Sequence, residues 1–219
     1  MIGMRNMVLA VAVLALASGP ALAQSGATHR FTAGGKAFTV PVPQGYCLPS
    51  AETIALAEQV AALDTMNVIH ANLDRCGSFG EDYVHIKSPR QSQPIPMPRA
   101  DFVALIAREL QSETGQQLTN DALEDAGRDV AAGTDGEIKL DNTVPRFAGQ
   151  DDVCAYMALT GDVSGPTGSI TMRGVICMTV VGGQFMNVNA YAIEAKGITD
   201  AQLKARARAI AASIAPAGA

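Results

Sequence analysis

A chain of 219 residues with a formal net charge of −5 lacks the concentrated positive field that nucleic-acid phosphates require, so no nucleic-acid partner is expected. Its 48% hydrophobic content is ample for a packed core and excludes a disordered polymer. Trp is absent and aromatic residues make up only 5%, and nothing in this composition names a reaction.

The first 23 positions have a separate purpose. Residues 1–6 carry one positive charge, Arg5, and residues 7–17 (MVLAVAVLALA) form an uninterrupted apolar run. Ser18-Gly19-Pro20 breaks that run, and Ala21-Leu22-Ala23 offers the small side chains that a signal peptidase reads. The expectation is a cleavable signal peptide over residues 1–23, cut after Ala23, followed by a single mature α+β domain over residues 24–219. The 11-residue apolar run falls well short of the roughly 20 residues needed to cross a bilayer. No Cys follows the leader and no twin-Arg pair precedes it. No transmembrane segment is therefore expected after signal cleavage, and the expected location is periplasmic or secreted. Without Arg5 the remainder carries −6.

In the mature chain, Phe31-Thr32, Gly34-Gly35 and residues 37–42 read as a hairpin, whose second strand ends at Pro41 because proline cannot donate to a ladder. Ser50 is placed to cap a helix whose apolar face carries Ile54, Leu56, Val60 and Leu63, ending near Asp64. Residues 67–73 (NVIHANL) alternate as a strand with Ile69, Ala71 and Leu73 on one side and His70 on the other. Residues 83–86 (YVHI) form the next strand, with Cys76 in the connection. Pro94, Pro96 and Pro98 mark an extended linker into a helix over residues 101–111. A weaker, acidic helix over residues 121–131, capped by Thr119 or Asn120, reads as a surface excursion. Residues 137–140 and 144–147 are short strand candidates.

The last third is the most legible. Residues 153–160 (VCAYMALT), 169–181 (SITMRGVICMTVV) and 185–193 (FMNVNAYAI) form a three-stranded antiparallel meander, with Gly182-Gly183 as its second turn. Thr199 and Gln202 make a capping box for a final helix striped by Leu203, Ala207, Ile210 and Ile214. Its Lys204, Arg206 and Arg208 lie off the stripe and read as a solvated face.

All four cysteines, Cys47, Cys76, Cys154 and Cys177, lie in the mature part, and four in an exported chain imply two disulfides. A meander hairpin centred between Gly165 and Pro166 sets Cys154 opposite Cys177, leaving Cys47 for Cys76. No C-x-x-C spacing supports redox chemistry. His70, Cys76 and His85 match no zinc motif.

The order of segments resembles the PsbP-like superfamily, named for the extrinsic subunit of photosystem II. The segments that carry the resemblance are residues 38–46 (FTVPVPQGY), 67–89 leading to the helix at Asp101, and 173–214. It is a likeness of layout over most of residues 30–215. Members often carry a Trp after the first strand, where this chain has Tyr46. The resemblance implies an α+β fold, an antiparallel sheet sandwiched by helices, and a non-catalytic accessory or binding role. It maps no functional residues onto this chain.

Catalytic spacings are not met. Ser164 sits one residue away from a G-x-S-x-G elbow, and Gly34-Gly35-Lys36 continues into Ala37 where a phosphate loop needs a hydroxyl. The adjacent acids Glu81-Asp82, Glu124-Asp125 and Asp151-Asp152 read as solvated loop pairs. Met157, Met172 and Met178 share the face opposite the disulfide. Thioether ligation of Cu(I) is weighed there against ordinary core filling, and core filling is preferred. No cofactor or metal site is expected. Two readings follow: a non-catalytic binding module for an unknown protein or small ligand, or a hydrolase built around His70, His85 and nearby acids.

Overall fold

The computed structural model of the chain describes residues 26–91 and 93–218; the leader and its cleavage position at Ala23 lie outside them. Among the described residues, ten strands and four α-helices follow in the order β1 (Thr28–Ala33), β2 (Lys36–Pro41), β3 (Tyr46–Cys47), α1 (Ile54–Leu63), β4 (Asn67–Arg75), β5 (Ser78–Pro89), α2 (Arg99–Gln111), α3 (Glu113–Gly133), β6 (Lys139–Gln150), β7 (Ala155–Gly165), β8 (Gly168–Val181), β9 (Gln184–Ile193), α4 (Asp200–Ser213) and β10 (Ala215–Pro216). The main sheet runs β3-β4-β5-β9-β8-β7-β6, antiparallel throughout, and a small sheet runs β1-β2-β10. The fold class is α+β, an antiparallel sheet containing the C-terminal meander and flanked by helices.

Period-two alternation divides the main sheet into two faces. On one, Val84 and Ile86 of β5, Val188 and Ala190 of β9, Val175 and Cys177 of β8 and Tyr156 of β7 are fully buried. They form a single core with Leu203, Ala207, Ile210 and Ala211 of α4 and with Phe31, Phe38 and Val40 of the small sheet. On the other face, Ala155 packs under Val103 and Ala107 of α2, with Ile106, Leu110 and Phe147 around them. Helix α4 is held by its capping box, in which the Thr199 hydroxyl and the Gln202 side chain serve each other's backbone.

The basic residues of α4 are not a solvated face. Arg206 pairs with Asp82, which accepts from the Tyr46 hydroxyl at 2.9 Å. Arg208 donates to Asp151 at 3.0 Å, which accepts from the Tyr156 hydroxyl at 2.7 Å. Lys204 lies 4.3 Å from the centre of the Tyr156 ring and donates to the Ala148 carbonyl. Asp151 also accepts from the Val153 and Cys154 amides, so one carboxylate shapes the entry to β7. Two Arg–Asp–Tyr bridges thus tie the helix to strands on different parts of the sheet.

Four local readings change. Cys177 stands opposite Tyr156, not Cys154, because the β7–β8 ladder continues to Gly165↔Gly168 and turns at Pro166-Thr167. A shift of two residues keeps each side chain on its face, so Cys154 and Cys177 still meet, 5.2 Å apart at Cα. Helix α3 starts eight residues earlier than expected: Ser112 accepts from the Gly115 amide as its cap, while Thr119 donates back to the Gly115 carbonyl inside the helix. The two short strands merge into β6, bulged where Asn142 adopts φ 52°. Thr53, not Ser50, stands before α1, and Ser50 instead forms a turn with it.

Cys47 bonds to Cys76 at 5.1 Å between Cα atoms, tying the short edge strand β3 to the β4–β5 turn. The two bridges close chain separations of 29 and 23 residues, each worth about 3.5 kcal/mol on the chain-entropy account. Peptide mapping under non-reducing conditions is expected to recover Cys47–Cys76 and Cys154–Cys177 peptides, and a peptide joining Cys47 to Cys154 or Cys177 would contradict this fold. The double variant Cys154→Ala/Cys177→Ala is expected to lose about 3 kcal/mol in urea unfolding.

Candidate functional site

Strand register sets out the α2-side face in rows. Pro145, Leu159, Gly174, Tyr191, Tyr83 and Asp74 form one row from β6 to β4. Phe147, Met157, Ile176, Asn189, His85 and Asn72 form the next, followed by Ala155, Met178, Asn187 and Lys87. The β6–β8 part of these rows is mostly apolar and the β9–β4 part is polar, except for Ile69, which stands opposite Lys87. Between the α2–α3 corner and the apolar part lies a groove of about 490 Å³, lined by Leu110, Gln111, Gln116, Thr119, Asn120, Pro145, Arg146, Phe147 and Met157. That volume and the mixture of apolar walls with a few amides fit a small-molecule or side-chain recess.

On the polar part, the Tyr83 and Tyr191 rings stand 5.1 Å apart and His85 lies 4.8 Å from Tyr83 and 6.1 Å from Tyr191. Gly174 makes room for this arrangement, because a Cβ there would come within 2.7 Å of the Tyr191 ring. The Asn189 amide nitrogen donates to the Tyr191 hydroxyl at 3.2 Å. His85 is only 6% exposed, and burial pushes its imidazole down to about 3, with Lys87 acting in the same direction and Asp64 opposing it. It is neutral at any physiological pH and too weak a base to take a proton from a substrate.

Lys87 is engaged by Asp64 at 2.7 Å. Burial alone would raise the Asp64 carboxyl, but Lys87 and the donor bonds from Asn67 outweigh it and hold the group below its usual value. Asp74 goes the other way. Burial pushes it up, the Gly80 amide bonded at 2.9 Å pulls it down, and the neighbouring Asp82 adds to the rise.

The sheet separates the two histidines on which a hydrolase would depend. A bulge between Ile69 and Ala71 turns His70 toward the α4 side, where it stacks on Phe31 at 5.1 Å and meets the Ser88 hydroxyl at 2.7 Å. This corrects the expectation that His70 occupies the polar face. Ser88 is 2% exposed, so the Ser–His contact is beyond the reach of a substrate. Burial lowers the His70 pKa, with His29 adding to it, and the His29 ring contacts the His70 carbonyl at 2.8 Å.

The acid pairs are engaged in ion pairs: Glu81 with Lys196, Asp82 with Arg206, Glu124 and Asp125 with Arg128, and Asp151 and Asp152 with Arg208. Ser164 faces Ser169 in the β7–β8 ladder, and Lys36 donates to the Gly182 carbonyl. Met157 and Met172 are buried. No cluster of three or more His, Cys, Asp or Glu suited to a metal occurs among the described residues. The sequence signal that could have revealed the polar rows is the N-x-N-x-Y alternation of Asn187, Asn189 and Tyr191, a run of polar side chains in a strand central to its sheet.

No protein-family model matches the chain, and no curated protein matches it. Among solved structures, the fold is similar to the solution structure of cyanobacterial PsbP (CyanoP) from Synechocystis sp. PCC 6803. The match covers 92% of this chain and 98% of that one, at 11% identity and a TM-score of 0.43. The likeness is one of fold alone.

Protonating His85 must break the packing that buries it. Its pKa falls from 6.5 in the unfolded chain to about 3 in the fold, so the unfolded state binds the extra proton between those values. The contribution is complete above pH 6.5 and is lost as pH falls to about 3, a total on the order of 4–5 kcal/mol. Urea titrations from pH 7 to pH 4 are expected to show a steeper loss for the wild type than for His85→Phe, the difference approaching the one-proton slope of about 1.4 kcal/mol per pH unit below about pH 5.5. Parallel slopes would show that His85 is not buried as a neutral ring.

Proposed function

We propose that this chain is an exported, periplasmic or secreted, non-catalytic binding or accessory protein, acting on an unidentified protein or small ligand. The observation that carries this reading is the use made of its titratable groups. His70 is committed to Ser88, Asp82 to Tyr46 and Arg206, and Asp151 to Tyr156 and Arg208. The groove is walled by apolar and amide side chains, with one arginine that pairs with Asp200. Amides and apolar walls recognise shape and hydrogen-bonding groups, whereas proton transfer requires a titratable group near neutrality.

Export is supported by the leader, and two disulfides are compatible with an oxidising compartment. No helix among the described residues is long and apolar enough to cross a membrane.

Expression of the full chain in a Gram-negative host is expected to deliver it to the periplasm with Gln24 as its first residue by N-terminal sequencing. Capture of the tagged protein from its native extract is expected to bring down a stoichiometric partner or ligand, and Phe147→Asp in the groove is expected to reduce that yield at least tenfold. Turnover of a panel of ester, amide and phosphate substrates, abolished by His70→Ala, would overturn the non-catalytic reading.

A further inference from the structure

We propose that the groove between the α2–α3 corner and β6 docks an extended basic segment of a partner protein, with one apolar side chain in the groove and a lysine or arginine on either side of it. This names the partner chemistry of the binding reading above and rests on it.

Net charge is not spread evenly over this chain. Residues 113–141, which form α3, the turn after it and the start of β6, hold eight acids and two bases, −6 in all. The rest of residues 24–219 balances at thirteen of each sign. The excess negative charge therefore lies on the helix that walls the groove. Helix α3 buries only Gly115 of its 21 residues, so this charge faces solvent. Arg128 answers Glu124 at 4.0 Å and also meets Asp125, but on an exposed surface where such pairs are weak. Glu113 forms no ion pair among the described residues.

Helical spacing puts two of these acids beside the groove. Glu113, Gln116, Asn120 and Glu124 recur at intervals of three and four, so they share one stripe of α3, and Gln116 and Asn120 line the groove. The two glutamates bracket it, about 16 Å apart along the helix. About five residues of extended chain cover that span. Between the brackets, the groove of about 490 Å³ has apolar walls in Leu110, Phe147 and Met157, which suit an aliphatic side chain. Gln111 and Gln116 each spend an N–H on an α2 carbonyl, and Asn120 forms no hydrogen bond among the described residues, so their amide oxygens remain for a peptide backbone. Arg146, the one base on the groove, is held by Asp200. Complementary charge of this kind speeds encounter and selects a basic partner, while the same field repels phosphates.

Titration of the ¹⁵N-labelled protein with the end-blocked peptide Lys-Ser-Leu-Ser-Ser-Lys, followed by NMR, reads affinity and position together. One control peptide replaces the leucine by serine, and a second replaces both lysines by glutamate. The side-chain amides of Gln116 and Asn120 are expected to shift saturably with the first peptide, at an affinity at least tenfold above either control. Raising the salt from about 20 to about 300 mM is expected to weaken that binding at least fivefold, because exposed charges are screened. The double variant Glu113→Gln/Glu124→Gln, which leaves the core untouched, is expected to lose at least fivefold in affinity with an unchanged urea midpoint.

Equal binding of the glutamate peptide would overturn the basic class, and equal binding of the serine peptide would overturn the groove as an apolar anchor. Silence from all three at millimolar concentration, shifts confined to amides away from α3 and β6, or undiminished binding by the double variant would overturn the site. So would a dimer in sedimentation equilibrium whose formation shifts the same amides, since a second copy of this chain would then be the occupant. None of these results touches the non-catalytic reading, which fails only by substrate turnover.

Discussion

Burial of the α4 stripe against one face of the main sheet is the constraint from which the other features follow. Leu203, Ala207, Ile210 and Ala211 recur at helical spacing, and the sheet positions that meet them recur at spacing two. Val84, Ile86, Val188, Ala190 and Val175 are all spent on that side. Slipping any of these strands by one residue would exchange Val84 and Ile86 for Tyr83, His85 and Lys87. The register is therefore fixed by hydrophobic burial first, and the Cys154–Cys177 bond pins what burial has selected. Each buried Val or Ile contributes roughly 1.5–3 kcal/mol, so the four such positions among them outweigh one disulfide of about 3.5 kcal/mol.

Hydrophobic burial does not set the direction of a helix on a sheet, and here polar groups do so. Arg206 and Arg208 are two positions apart, so they leave α4 on different sides. One reaches the Asp82–Tyr46 pair and the other the Asp151–Tyr156 pair. Burial raises both tyrosine pKa values, and their hydroxyls keep the proton that they donate to the carboxylates. Taking such pairs from water costs much of what their attraction returns, so their main effect is on orientation rather than stability. Removing one partner would leave the other charge exposed to that cost, which is why the bridges act as constraints.

Legibility followed the range of the interaction involved. The hairpin of Phe31 and Phe38, the meander and the capping box at Thr199 depend on contacts near in sequence, and all are present in the fold. The disulfide pairing was readable because its face survives a shift of two residues, even though the turn lies at Pro166-Thr167. His70 was misplaced because a bulge reverses side-chain direction without leaving a mark in the hydrophobic alternation. Helix α3 was undervalued because of its 21 residues only Gly115 is buried, so it has almost no apolar stripe to find. The Arg–Asp–Tyr bridges span 124 and 57 residues between Arg and Asp, beyond any local pattern.

The polar rows were hidden for a related reason. Asn72, His85, Asn189 and Tyr191 each look like ordinary solvent-side positions of a strand, and only the sheet order β4-β5-β9 brings them together. Once assembled, they break the rule that central strands are covered by apolar side chains or left open to water. Had α2 extended its apolar cover across β9 and β5, these positions would be free to become Val or Leu at no cost to the α4 core, since the two faces are independent. Helix α2 reaches β9 only at its end, where Phe102 meets Phe185 at 5.5 Å, and α1, on the β4 side, buries no residue of its own. The cost of leaving buried amide and carboxylate oxygens between them falls on stability, and a sheet whose other face is already complete can bear it.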